Sequence, residues 1–233
     1  MSGTVFLWWL LLSLFLGVSL MGIMRLKPRY IMAFAHAAGG GGGSRGHLPP
    51  NPNEAVAYSE SDLKDIYLAG GCFWGVEAYL ARIHGVAQAT SGYANGQTEN
   101  PTYEDVCHRG SGHAEAVRVR YDPQRLSLEE ILKVYFGIID PTVKNRQGAD
   151  VGTQYRTGIY YVDEADVAVI QGVVAEEAKK YDRPIVTEVT PLVHFYPAEE
   201  HHQEYLEKNP GGYCHVDFSS HPSSQPKGEG EDR

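Results

Sequence analysis

The chain has 233 residues, enough to bury one sizeable core with appendages to spare. Its formal net charge of −9 leaves no broad basic surface for neutralising phosphates, which argues against a general nucleic-acid binder. Three cysteines are an odd number, so a pure disulfide framework is excluded and a redox-active pair plus a bystander is expected.

In chain order, Val5 to Leu20 is almost unbroken Phe, Leu, Trp and Val, and the apolar character continues to Met24 before Arg25. About 20 such residues span a bilayer as a helix. Residues 5–24 are therefore expected to be a single-pass anchor within an N-terminal segment 1–36. A cleaved signal ending at Ala35-His36-Ala37 is the rival; no Lys or Arg precedes the apolar run, and Arg25, Lys27 and Arg29 intrude before the cut. The basic cluster after the span favours a cytoplasmic domain. A start at Met21, Met24 or Met32 would remove much of the segment. Residues 37–62, with Gly39 to Gly43 and Pro49-Pro50, read as a flexible tether.

The foldable region spans 63–218. Ile66 to Ala69 reads as a buried strand and Gly70-Gly71 as a sharp turn. Phe73, Val76, Leu80 and Ile83 then share one face of a helix that ends near His84-Gly85. Cys72 falls at the helix start, where free N–H groups predict a lowered thiol pKa and partial thiolate character. An inert buried cysteine is the bland alternative. Val86 to Tyr93 reads as a strand, and Asn100-Pro101 opens a loop carrying Tyr103, Cys107 and Gly112. Val117, Val119 and Tyr121 alternate with Arg118 and Arg120 in a half-exposed strand. Ser127 and Glu130 form a capping box before a helix from Ile131 to about Ile139. Lys144 to Thr153 is expected to be loop and Tyr155 to Val162 strand. Asp163 caps an amphipathic helix that turns Val167, Ile170, Val174 and Ala178 inward and ends at Tyr181. Pro184 to Val189 and Leu192 to Tyr196 read as short strands, and Ala198 to Lys208 as the last helix. Asn209 to Tyr213 is a loop, and 219–233 reads as a disordered tail. The class is α/β or α+β sandwich.

Gly71-Cys72-Phe73-Trp74-Gly75-Val76-Glu77 resembles the signature of the A-type methionine sulfoxide reductases (MsrA), which reduce the S epimer of methionine sulfoxide. Ser91-Gly92-Tyr93, Asn100-Pro101-Thr102-Tyr103, Gly112 to Val117, Gly152 to Arg156 and Asn209 to Cys214 follow in that family's order, over roughly 64–218. The resemblance implies an α+β fold, a two-layer sandwich with a mixed sheet, flanking helices and a ferredoxin-like core. It also implies a peptide-methionine (S)-S-oxide reductase with no bound cofactor and thioredoxin, or another dithiol, as reductant. Membrane-tethered relatives commonly face outward, against the basic-cluster reading.

Sulfoxide reduction needs a nucleophilic sulfur, a proton for the oxygen, a pocket for the S–CH3 end and a second thiol. Cys72 is the candidate nucleophile. Glu115, between Ala114 and Ala116, is the candidate acid, its pKa raised by apolar surroundings. By resemblance, Tyr103 and Tyr155 hydrogen-bond the sulfoxide oxygen and Asp150 contacts the substrate backbone, although Ala149 stands where many relatives carry Asn. Phe73 and Trp74 are expected to form the methyl pocket, one of them lining an opening because adjacent helix positions diverge. The sulfenic acid left on Cys72 calls for Cys214, which matches the family's resolving cysteine. No cysteine follows Cys214, so a two-cysteine relay is implied. Cys107 is expected to be a buried structural thiol. A zinc site from His201, His202, Cys214, His215 and Cys72 is disfavoured by spacing, with His202 expected to pack. A monomer is expected, with oxidised proteins and free methionine sulfoxide as substrates. A thiol peroxidase using Cys72 and Cys214, and a non-catalytic Met-binding module, are the rival functions.

Overall fold

The computed structural model describes residues 48–222. The expected anchor (5–24), segment 1–36, the glycine run and most of the tail lie outside the described residues. Among those residues no helix is long and apolar enough to cross a membrane.

The core is a six-stranded mixed sheet. Its strands are β1 (Lys64–Ala69), β2 (Val86–Ala94), β3 (Ala114–Tyr121), β6 (Gly158–Tyr161), β7 (Glu188–Pro191) and β8 (Phe195–Pro197), while β4 (Arg146–Gln147) and β5 (Asp150–Val151) form a separate hairpin. Spatial order is β7-β6-β1-β3-β2-β8, antiparallel throughout except for the parallel β6–β7 pair. The helices are α1 (Phe73–Leu80), α2 (Tyr103–His108), α3 (Leu128–Gly137), α4 (Val167–Ala178) and α5 (Tyr205–Lys208).

Period-two alternation divides the strands between two faces. Ile66, Leu68, Val117, Val119, Tyr121 and Ile159 are fully or almost fully buried; α1 packs on β2 and β3, and α3 packs on α1 and α4. Tyr67, Ala69, Ala94, Ala114, Ala116 and Tyr160 form a thinner core on the opposite face, closed by Leu192 and Phe195. The expected α+β sandwich is the observed architecture.

Several local readings shift. The loop expected at Asn100 contains α2, because Thr102 and Asp105 cap each other reciprocally. The box at Ser127 and Glu130 is present and starts α3 at Leu128. In α4 the inward positions are Ile170, Val173 and Glu177 rather than Val174 and Ala178. The strand expected from Tyr155 begins only at Gly158, after a 3-10 turn over Thr153–Tyr155. The last helix is broken. A 3-10 turn over Glu200–His202 and the short α5 are separated at Glu204, whose φ of +50° is left-handed. The buried Glu77 carboxylate holds that break by accepting the Glu204 N–H at 3.0 Å and the Ser91 N–H at 3.4 Å.

The packed body also extends past 63–218. The Asn53 amide donates to the carbonyls of Ala81 and Ile83, and the buried Arg82 guanidinium donates to the Pro49 carbonyl and to Glu207. The end of the expected tether is therefore tied to the C-terminus of α1. At the other end His221 is fully buried, with Nε2 bonded to the Tyr79 carbonyl.

Candidate active site

Strand β1 delivers the chain to Gly70-Gly71, and Gly71 takes φ +81°, a conformation that favours glycine. The turn reverses into α1 with Cys72 as its N-cap. The Trp74 N–H points at the Cys72 sulfur and favours its anion, as expected of a helix start, but it does not win. Cys72 is only 6% exposed, and burial, followed by the neighbouring Glu115 carboxyl, pushes its pKa well up. The expected lowered pKa is therefore corrected: the resting thiol is protonated.

Glu115 lies on β3 opposite Tyr93, beneath the start of α1. It is 1% exposed; burial pushes its pKa up to about 8, with Asp150 adding to the rise, against the Phe73 N–H that donates to Oε2 at 3.0 Å. The apolar surroundings come from α1 and the sheet face, since Ala114 and Ala116 belong to the opposite core. At neutral pH this carboxyl holds its proton.

The remaining expected residues converge on the same place. Tyr103 opens α2, anchored by its N–H to Glu199 Oε1 at 3.0 Å, and Tyr155 closes the 3-10 turn before β6. Burial raises the pKa of both phenols; for Tyr155 the Glu115 charge follows, and for Tyr103 a hydrogen bond to Cys107 and then Glu115. Both hydroxyls are neutral donors. Cys107 is half-buried, pushed up to about 11 by burial, and its thiol faces Glu115 Oε1 at 3.9 Å while interacting with the Tyr103 hydroxyl. The expectation of a buried structural thiol is corrected: Cys107 lies within the site.

The two aromatics divide their roles. Phe73 is 1% exposed, packed against Tyr93 and His202 with ring centroids 5.9 and 5.3 Å away. Trp74 is half-buried, stacks on Tyr205 at 3.7 Å and donates its indole N–H to His202 Nδ1 at 3.1 Å. Phe73 is thus the buried member of the pair and Trp74 the partly exposed one. His202 packs as expected, its ring 4.6 Å from that of Tyr103. Tyr205 and Glu199 carry no recognisable signal in the sequence; only the broken helix brings them here.

Asp150 opens β5 and accepts the Tyr213 hydroxyl at 3.0 Å. Cys214 follows on the C-terminal loop. Its thiol is pushed up to about 11 by burial and receives the Val216 N–H at 3.3 Å. A methyl group built on Gly75 would come within 2.8 Å of Cys214 Sγ, so the sulfur rests on α1 one turn beyond Cys72. Cys72, Cys107 and Cys214 are all free thiols. No group of three or more His, Cys, Asp or Glu among the described residues has metal-holding geometry. The site places a protonated carboxyl and two neutral phenols around a buried thiol beside two aromatic side chains, an arrangement suited to donating hydrogen bonds to an oxygen held next to sulfur.

The family model for peptide methionine sulfoxide reductase matches residues 64–231. The peptide methionine sulfoxide reductase MsrA of Lachnoclostridium phytofermentans is 60% identical over 153 residues, covering 66% of this chain and 92% of that protein. The MsrA of Clostridium acetobutylicum is 60% identical over 154 residues, covering 66% and 95%. Among solved structures, reduced Mxr1 from Saccharomyces cerevisiae superposes with a TM-score of 0.64 at 36% identity, covering 73% of this chain and 95% of that one. Methionine sulfoxide reductase A of Corynebacterium diphtheriae gives 0.64 at 36% identity, covering 71% and 84%. The chain belongs to the peptide methionine sulfoxide reductase family, as an oxidoreductase of its A type.

Proposed function

We propose that the chain reduces the S epimer of free and protein-bound methionine sulfoxide by attack of Cys72 on the substrate sulfur. The observation that carries this reading is the convergence of protonated Glu115 and the Cys72 thiol beneath the start of α1. Glu115 protonates the sulfoxide oxygen, and Tyr103 and Tyr155 hydrogen-bond it. Attack forms a bond from the Cys72 sulfur to the substrate sulfur, the thiol proton replacing the one Glu115 has given; transfer of the hydroxyl to Cys72 then breaks that S–S bond and the substrate S–O bond, giving methionine and a sulfenic acid. Cys214 then attacks that sulfenic sulfur, releasing water and forming a Cys72–Cys214 disulfide. Thioredoxin or another dithiol reduces the disulfide by exchange.

Stereochemistry follows from three fixed directions. With the methyl group on Trp74, the oxygen on Glu115 and the rest of the methionine toward solvent near Asp150, only one epimer satisfies all three. The other exchanges oxygen for the lone pair. The apolar composition of residues 5–24 supports a membrane anchor for this activity.

The test is an epimer-resolved reduction assay on the full chain with dithiothreitol. Consumption of the S epimer, persistence of the R epimer and loss of turnover in Cys72→Ser are expected. Equal use of both epimers overturns the stereochemical reading, and hydroperoxide consumption without sulfoxide reduction overturns the reaction in favour of a thiol peroxidase.

A further inference from the structure

His215 follows Cys214, and nothing in the chemistry above uses it. Its side chain is 6% exposed. Nε2–H donates to the Gly70 carbonyl at 3.1 Å. The ring lies over the glycine turn, where a methyl group on Gly71 would meet Nε2 at 2.8 Å and Cε1 at 2.9 Å. Nδ1 is buried without a partner, 3.8 Å from Asp150 Oδ2. On the other side of Cys214, the Tyr213 hydroxyl is bonded to the same Asp150 oxygen. The residue carrying the second thiol is thus fastened on both flanks to the two loops that border Cys72.

We propose that His215 is a positioning residue for disulfide closure: seated on the Gly70-Gly71 turn, it holds the Cys214 loop within reach of oxidised Cys72. Gly71 is the partner half of this seat, since any side chain there would occupy the space of the imidazole. Closure is an intramolecular reaction whose rate scales with the local concentration of the Cys214 thiol. An unfastened loop samples a larger volume and closes more slowly, while the attack of Cys72 on sulfoxide does not involve the loop. The balanced step is the one above, Cys72–SOH and Cys214–SH giving the disulfide and water. This inference rests on the proposed Cys72 and Cys214 chemistry.

The test separates the two steps in full-chain protein mixed with excess methionine sulfoxide and no reductant. Acid quench gives methionine formed; thiol titration and trapping of the sulfenic acid with a 1,3-diketone follow closure. In His215→Ala the first equivalent of methionine is expected within about twofold of the wild-type rate. Closure slows about tenfold, the effect of losing roughly one buried hydrogen bond's worth of placement, with more trapped sulfenic acid. His215→Gln, whose amide can reach the Gly70 carbonyl, is expected to restore closure to within about threefold. Closure at the wild-type rate in His215→Ala overturns the proposal. So does equal slowing of both steps, or a Gln variant as slow as Ala. Failure of the underlying chemistry is distinguishable, because wild-type protein would then form no methionine, or Cys214→Ser would cycle undiminished once thioredoxin is supplied.

Discussion

At the residue scale, the site depends on where two protons sit. Burial raises both the Cys72 thiol and the Glu115 carboxyl; the Glu115 charge raises the thiol further, and Asp150 adds to the rise of Glu115. While Glu115 is neutral it removes a charge that opposes the thiolate, and it keeps a proton to give. The acid form is lost as pH climbs through about 8. The rate of the first methionine equivalent is therefore expected to fall above that pH in the wild type. Glu115→Gln should be slower by roughly a hundredfold, the usual worth of a positioned proton donor, and should lose this alkaline limb. Rapid-quench rates between pH 6 and 9.5 check both; an unchanged rate in the Gln variant removes Glu115 from the chemistry.

At the element scale, α1 does two tasks within one turn: its start holds Cys72 and its first turn receives Cys214. Gly75 permits the second. An alanine there gains roughly 1 kcal/mol of helix propensity, yet its methyl would lie 2.8 Å from Cys214 Sγ and 3.0 Å from Val216 Cγ2. Gly75→Ala is expected to raise Tm slightly or leave it unchanged while slowing disulfide closure several-fold, with the first methionine equivalent unaffected. Thiol-loss kinetics measure this, and closure at the wild-type rate would show that the loop adjusts freely.

The sequence made α1, the period-two strand β3 and the capping box before α3 legible, because each is coded by neighbouring residues. The eight expected site residues, several of them named by the family resemblance alone, lie around Cys72 in the structure. What stayed hidden depends on tertiary contact. The break at Glu204 is held by Glu77, 127 positions away in the chain, and it is this break that stacks Tyr205 on Trp74. Likewise the direction of the Cys72 shift is set by burial in the folded chain, with Glu115, brought in by a strand far along the chain, adding to it, and the helix-start rule alone has the wrong sign.

At the scale of the whole molecule, burying acids has a cost that shows in its pH dependence. Glu77 and Glu115 are both 3% exposed or less, and burial pushes each up to about 8. A carboxyl raised on folding adds stability that is complete below its unfolded value of about 4.3 and is lost as pH rises through its folded value. Burial lowers His113, His202, His215 and His221, so these contribute with the opposite sign: full stability above about 6.5, declining as pH falls below it. The two sets oppose one another on the acid side, but from about 6.5 to 8 the carboxyl contribution dominates the change, and above about 8.5 the raised thiols of Cys72, Cys107 and Cys214 decline with the same sign. Tm is therefore expected to decline from about pH 6.5 to 9. Glu115→Gln should flatten that slope, because its amide can accept the Phe73 N–H without having to remain protonated. Glu77→Gln should flatten it too but lower Tm overall, since one amide oxygen must replace two carboxylate acceptors serving Glu204 and Ser91. Scanning calorimetry on the three proteins decides the matter, and a wild-type Tm that is level or rising over this range would mean that neither carboxyl is neutral in the folded state.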